Sequence, residues 1–338
     1  MKLNAGLISL LHRKALSESQ AREIFTALFK GNLTESQAKA ILLLLASKGE
    51  SSKEFTGCLN ALRTLEPPAS VGINYLMDTC GTGGDMSGSF NVSTLAAFVI
   101  AGAGGKIAKH GNRSISSRCG SSDLMEALGV RLNAPRSQMI KAIKNFGLGY
   151  FHAPFYHPVF SKIQLLRRKL KTRTIFNLLG PLTNPLKVSH QLVGVSDKKY
   201  LKLFAQAFQK SGITALICHS QDGMDEISTR ARTDIALVHK GGIRYSRIDP
   251  KKYSFKVTGK NTFVGGSIKK NKVLALQLLR GKLRGPIRDL VVLNAAAGLW
   301  ITKKAANLKE GIRLAEKSID SGKAYQVLAR LRKISHSG

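Results

Sequence analysis

The chain has 338 residues, 43% of them hydrophobic, and carries 53 Lys and Arg against 20 Asp and Glu, a formal net charge of +33. That length exceeds one ordinary core, so two domains, or one large α/β domain with an appendage, are expected. No apolar run reaches the length of a membrane span, and the scattered Cys58, Cys80, Cys119 and Cys218 form no C-x-x-C pair, which argues against a metal cluster and for reduced thiols in the cytoplasm.

Leu3, Leu7, Leu10 and Leu11 recur at helical spacing, an amphipathic first helix rather than the core of an export signal. Ser17-Glu18-Ser19-Gln20 has the form of a capping box and opens a second helix with Ile24, Phe25 and Leu28 inward; Gly31 closes it. Thr34 to Gln37 repeats the device ahead of Ile41, Leu42 and Leu45, and a fourth helix with Phe55, Leu59 and Leu62 stops before Pro67-Pro68. Residues 1–66 thus read as a helical N-terminal domain. From Tyr75 the pattern becomes short strands and helices: strand 75–80, buried helix 95–103, strand 106–109, a helix through Leu124 and Leu128 running into a strand at Val130, helix 138–146 and extended chain at 149–152. Residues 158–171 form a basic helix, followed by an apolar segment broken by turn residues. Alternation resumes with strand 191–195, helix 200–211, strand 215–219, a hairpin around Gly241-Gly242, and late helices at 291–300 and 308–318. The expected fold is α/β: a largely parallel central sheet flanked by helices, with a smaller all-helical N-terminal domain.

Two clusters carry chemistry. Gly81-Thr82-Gly83-Gly84-Asp85 leaves backbone N–H groups free to converge on an anion, and Asn91, Ser93 and Thr94 bring polar groups to a helix start, a natural phosphate seat. Lys109 and Arg113 add positive charge. Neither a G-x-G-x-x-G fingerprint nor a Walker loop is present. Asp225-Glu226, the one adjacent carboxylate pair in the chain, follows a strand across a short loop, and two hard oxygen ligands there suit Mg²⁺ shared with a substrate phosphate. Arg167-Arg168, His157 and Asn112 offer a guanidinium for an acidic acceptor, against the simpler reading of a basic helix face and a packing histidine. Cationic residues are spread from Lys53 through Lys171 to Lys333, so a general surface habit is preferred to a dedicated nucleic-acid face.

Taken together, Gly81 to Asp85, Asn91-Val92-Ser93-Thr94, Lys109-His110-Gly111-Asn112-Arg113, Asn177 to Pro185, Gly223-Met224-Asp225-Glu226 and Asn294-Ala295-Ala296-Ala297 resemble anthranilate phosphoribosyltransferase over nearly the whole chain. The resemblance implies the nucleoside phosphorylase/phosphoribosyltransferase type of fold, with 158–190 rejoining the helical domain, 72–157 and 191–338 forming the catalytic α/β domain, and the acceptor at the hinge. It also implies Mg²⁺-dependent phosphoribosyl transfer from phosphoribosyl pyrophosphate (PRPP) to anthranilate in tryptophan biosynthesis, a homodimer through the helical domain, and a cytoplasmic protein. Residue by residue, it assigns Gly81, Gly83, Gly84, Asp85, Asn91, Ser93, Thr94, Lys109 and Ser121 to PRPP. Gly81, Asn112, His157 and Arg167 go to anthranilate, and Ser93, Asp225 and Glu226 to the metal, with Lys109, Asp225 and Glu226 as the catalytic set. Departures from the family pattern are the basic run Ser228 to Thr233, Tyr156 at the place of a frequent second histidine, and Cys119 at that of a serine. The rival expectations are a nucleoside phosphorylase and a nucleic-acid-binding relative of the same fold.

Overall fold

The structure, a computed structural model, describes residues 2–85, 89–114, 118–170, 172–255 and 259–337, with the backbone alone at residues 2–4, 161–162, 164–165, 167–168 and 260–261. Ser116 and Ser117, and the side chains of Leu3, Arg167 and Arg168, therefore lie outside the described part. The chain divides into two compact units, Met1–Ala69 with Pro154–Pro185, and Ser70–Ala153 with Leu186–Gly338. Among the described residues no helix is long and apolar enough to cross a membrane.

The first unit is all helical: Lys2–Leu11, Glu18–Lys30, Glu35–Lys48, Ser52–Leu65, Val159–Leu170 and Ile175–Leu179. Full capping boxes open three of these helices, at Ser17 with Gln20, Thr34 with Gln37, and Ser51 with Glu54. Each satisfies two backbone donors that the helix start would otherwise leave without partners. The returning segment is tied in by its aromatics. Phe160 and Phe176 pack edge-on with ring centroids 6.2 Å apart, and Phe176 lies 6.1 Å from Phe25 and 5.9 Å from Phe29. Glu66 accepts from Val159 N–H at 2.9 Å and holds His157 Nδ1 at 2.7 Å. In the first helix Leu10 is buried, whereas Leu11, expected on the same inward face, is 66% exposed.

The second unit is built on a seven-stranded sheet ordered β3-β2-β1-β4-β5-β6-β7. Its strands are β1 (Leu76–Gly81), β2 (Lys106–Gly111), β3 (Leu148–His152), β4 (His190–Gly194), β5 (Thr214–Ser220), β6 (Thr233–His239) and β7 (Gly242–Ile248). The first five are mutually parallel, and β6 and β7 continue the sheet antiparallel as a hairpin. Helix Val92–Gly102, apolar on every side, is the hub beneath the sheet. Helices Pro286–Ile301, Leu308–Asp320 and Lys323–Ser335 pack against it. The strand expected at Val130 does not form. Gly129 takes a left-handed φ of +84°, and Val130 N–H folds back onto the Met125 carbonyl at 3.0 Å, ending the helix before residues 131–135 lead to Arg136–Phe146.

The strand order fixes where a ligand can sit. From β1 the chain builds outward through β2 and β3, then returns to lay β4 on the other side of β1. The reversal between β1 and β4 opens a crevice at the carboxyl ends of these strands, the place where open parallel sheets bind ligands.

Candidate active site

The glycine loop leaves β1 at that reversal. Thr82 N–H donates to the Gly194 carbonyl at 2.9 Å, and Ser196 N–H donates back to Thr82 Oγ1 at 3.1 Å, so the loop is pinned to the end of β4. Gly83 and Gly84 turn with φ of +68° and +76°, a conformation with little steric cost only for glycine. Asp225, delivered by the loop after β5, lies directly against this turn: its Oδ2 accepts the Gly83 N–H at 2.8 Å. A Cβ on Gly81 would stand 2.3 Å from that same oxygen, so residue 81 cannot carry a side chain without moving Asp225.

Glu226 takes the neighbouring seat. Its Oε1 accepts the Ser93 N–H at 3.2 Å, in the first turn of Val92–Gly102, where the helix dipole favours a negative charge. The two adjacent carboxylates thus occupy two backbone donors, one in the glycine loop and one at a helix start, that are suited to phosphate oxygens. Asp85 closes the group by accepting the Asp225 N–H at 3.4 Å. Burial, with the charge of Asp85 adding to it, pushes the Asp225 carboxyl up to about 8. Burial and the neighbouring Asp225 raise Glu226 well above the usual carboxylate range, with Lys109 pulling in the opposite sense. Asn294 fixes the segment that carries the pair. From inside helix Pro286–Ile301 its amide donates to the Ile227 carbonyl at 2.9 Å, and its oxygen accepts the Ile227 N–H at 3.0 Å.

Lys109 is 2% exposed and donates its ammonium to the Thr79 and His110 carbonyls, holding its charge close beneath the loop. Thr94, expected among the phosphate contacts, is 1% exposed on the buried side of its helix. Asn91 begins that helix without capping it. Its amide instead donates to the Cys119 carbonyl at 3.0 Å and its oxygen accepts from Asn271 at 3.2 Å, bridging to a second glycine loop, the one that runs from Gly111 at the end of β2 to Ser121, and to helix Ile268–Leu279. In the second loop Asn112 N–H donates to Ser121 Oγ at 3.1 Å. Asp123 ties down Gly120 and Ser114 through their N–H groups at 2.8 and 3.2 Å. Asp78 is fully buried and accepts N–H groups from Thr79 and His110.

The structure therefore brings Gly81, Gly83, Gly84, Asp85, Ser93, Asp225 and Glu226 together, with Lys109 on β2, Asn91 and Asn112 in adjoining loops, and Ser121 at the start of helix Ser121–Ala127. His157 and Arg167 belong to the helical unit. Both ring nitrogens of His157 are engaged, Nδ1 by Glu66 and Nε2 by the Thr183 carbonyl at 2.6 Å, and Arg167 lies on helix Val159–Leu170. The arginines of the basic run are absorbed locally. Arg230 pairs with Asp222 at 2.8 Å and Arg232 with Asp249 at 3.0 Å. Sequence reasoning missed Asn271 and Asp123 and gave Asn294 no role. A lone polar residue inside the apolar run of Pro286–Ile301, and an acid three residues after Gly120, were the available signals.

Among the described residues no group of three or more His, Cys, Asp or Glu side chains closes into a metal cage. The hard oxygens at hand are those of the adjacent Asp225 and Glu226 carboxylates, with Asp85 on the Asp225 N–H. They fit Mg²⁺, which commonly takes one or two carboxylates and completes its shell with water and phosphate.

Two protein families match the chain: the glycosyl transferase family helical bundle domain over residues 7–65, and the glycosyl transferase family a/b domain over residues 74–325. An anthranilate phosphoribosyltransferase of Clostridium kluyveri is 43% identical over 324 residues, 96% of each chain. The crystal structure of anthranilate phosphoribosyltransferase from Thermus thermophilus superposes with a TM-score of 0.92 at 36% identity, covering 98% of this chain and 99% of that one. The enzyme of the same name from Saccharomyces cerevisiae, in complex with PRPP and Mg, superposes with a TM-score of 0.90 at 25% identity, covering 98% and 97%.

Proposed function

Because the chain belongs to the anthranilate phosphoribosyltransferase family, we propose that it transfers the phosphoribosyl group of PRPP to the amino nitrogen of anthranilate, with Mg²⁺ on the pyrophosphate, as a step of tryptophan biosynthesis. One observation supports this reading above the rest: the Asp225 carboxylate rests on the Gly83 amide. That contact joins an anion-binding loop to a pair of hard metal ligands at the sheet's reversal, the combination a sugar diphosphate requires.

The glycine-loop amides and the first turn of Val92–Gly102 bind the phosphates, and Ser121 and Asn91 line the same mouth. Asp225 and Glu226 release their backbone donors as the substrate's oxygens arrive. Asp225, Glu226 and the Ser93 hydroxyl would hold Mg²⁺, which neutralises charge on the departing pyrophosphate. Lys109 contributes a fixed positive charge from beneath. Attack by the amine on the anomeric carbon needs no strong base, because an aromatic amine is already neutral at pH 7. The chain's work is placement and charge stabilisation, in keeping with a site of amides and cations without a nucleophile–base pair. Asn112, His157 and Arg167 are the proposed anthranilate contacts. Ile8, Leu11 and Leu43, 55%, 66% and 44% exposed on the helical unit, support a homodimer through that unit.

The test is loss of anthranilate fluorescence in the presence of PRPP, with and without Mg²⁺ and EDTA. Consumption that requires PRPP and stops with EDTA is expected; consumption indifferent to PRPP would overturn the reading. Sedimentation of the wild type beside Leu11→Glu tests the dimer, which the charged variant should dissociate.

A further inference from the structure

We infer that Tyr150, Ser122 and His152 are positioning residues that set the second glycine loop for PRPP through one directed chain of hydrogen bonds ending on Ser121 and Asn112; the inference rests on the transfer reading above. Tyr150 and His152 lie two residues apart on β3 and so share a face, alongside Lys109 and Gly111 of the paired β2. The links are short and consecutive. His152 Nδ1 is 2.8 Å from Ser122 Oγ, Ser122 Oγ is 2.7 Å from the Tyr150 hydroxyl, and Tyr150 donates to Ser121 Oγ at 3.3 Å. Ser121 Oγ in turn donates to the Asn112 carbonyl at 3.2 Å while accepting the Asn112 N–H at 3.1 Å.

Each hydroxyl has one proton to give. Since Tyr150 gives its proton to Ser121, Ser122 gives its own to Tyr150, and the bond from His152 must then come from an Nδ1–H. The direction runs from the imidazole to the loop, and it orients the Ser121 hydroxyl. Ser122 is fully buried and Tyr150 is 1% exposed, so water does not compete for the link between them. Gly111 makes room for the chain: a Cβ there would lie 2.2 Å from Ser121 Oγ and 2.6 Å from the Tyr150 hydroxyl. Burial, then the charge of Arg113, lowers the His152 pKa, with Glu126 and Asp123 acting in the opposite sense. The ring is therefore neutral at pH 7 and its tautomer decides which way the chain points.

Steady-state kinetics on Tyr150→Phe, Ser121→Ala and the double variant test the inference. Tyr150→Phe keeps the ring and removes one link. It should raise KM for PRPP roughly two- to tenfold, the scale of one net hydrogen bond, and leave KM for anthranilate unchanged. In the Ser121→Ala background it should have no further effect on KM. Effects that multiply, or that fall equally on both substrates, would assign Tyr150 to packing alone. Ser122→Ala breaks the chain one link earlier and should reproduce the same shift. Independently of activity, ring ¹⁵N spectra should place the His152 proton on Nδ1 in the wild type, and a proton on Nε2 would overturn the chain. A wild type that leaves anthranilate untouched overturns the transfer reading itself, an outcome distinct from either of these.

Discussion

At Gly81 the site tolerates no atom beyond the backbone, because a methyl there would meet the Asp225 carboxylate at 2.3 Å. Gly81→Ala is expected to push Asp225 off the Gly83 amide and to weaken PRPP binding at least tenfold by calorimetry, with the fold retained by circular dichroism. The raised pKa of Asp225 carries a second expectation. A carboxyl that holds its proton more tightly in the native state contributes stability that is complete below its ordinary value of 3.8 and is lost as pH climbs through about 8. In EDTA, the melting temperature of the wild type should therefore fall over that window relative to Asp225→Asn, whose neutral amide has nothing to titrate. Parallel curves would refute the burial of that charge. The glycines and the Asp225-Glu226 pair were legible in the sequence as residue types suited to phosphate and Mg²⁺. Their contact was not, because 142 residues separate Gly83 from Asp225 and only the assembled sheet brings them together.

Among the elements, those with punctuation at both ends could be read most closely. Ser17 and Thr34 announce their helices, and the structure places full capping boxes at both. The box at Ser51 escaped notice although Glu54 supplies it; Ser51→Ala should cost about 1 kcal/mol in urea unfolding. Helix Ile268–Leu279 went unread because Ser267 caps it with Lys270, not Glu or Gln, at the third position, and two glycines precede it. The supposed strand at Val130 had the right residue type, but Gly129 turns the chain first. Asn294 shows what one element does for another. Asn294→Leu would strand the buried N–H and C=O of Ile227, at about 1–3 kcal/mol each, and loosen the segment holding Asp225 and Glu226. The variant should lose more in kcat/KM than Ser51→Ala does, and equal kinetics for the two would argue against the clamp.

For the whole molecule the dominant fact is a net charge of +33, carried by a fold whose substrate is itself anionic. Long-range attraction speeds encounter with a polyanion and is screened over about 8 Å at physiological ionic strength. Added NaCl should therefore raise KM for PRPP more steeply than KM for the singly charged anthranilate while leaving kcat nearly unchanged, and flat salt titrations would dismiss the effect. The same excess of cations bears on the sheet's open margin. Among the described residues β7 has one side without a partner strand, an invitation to any passing extended chain, yet it displays Arg244 to solvent beside Tyr245, with Arg247 also exposed while paired to Asp234 of β6 at 2.7 Å. Two such margins meeting would set guanidinium against guanidinium, so this border discourages growth of the sheet from one molecule into the next. Arg244→Val should make concentrated solutions scatter light, turning a self-limiting sheet into one that recruits its own kind.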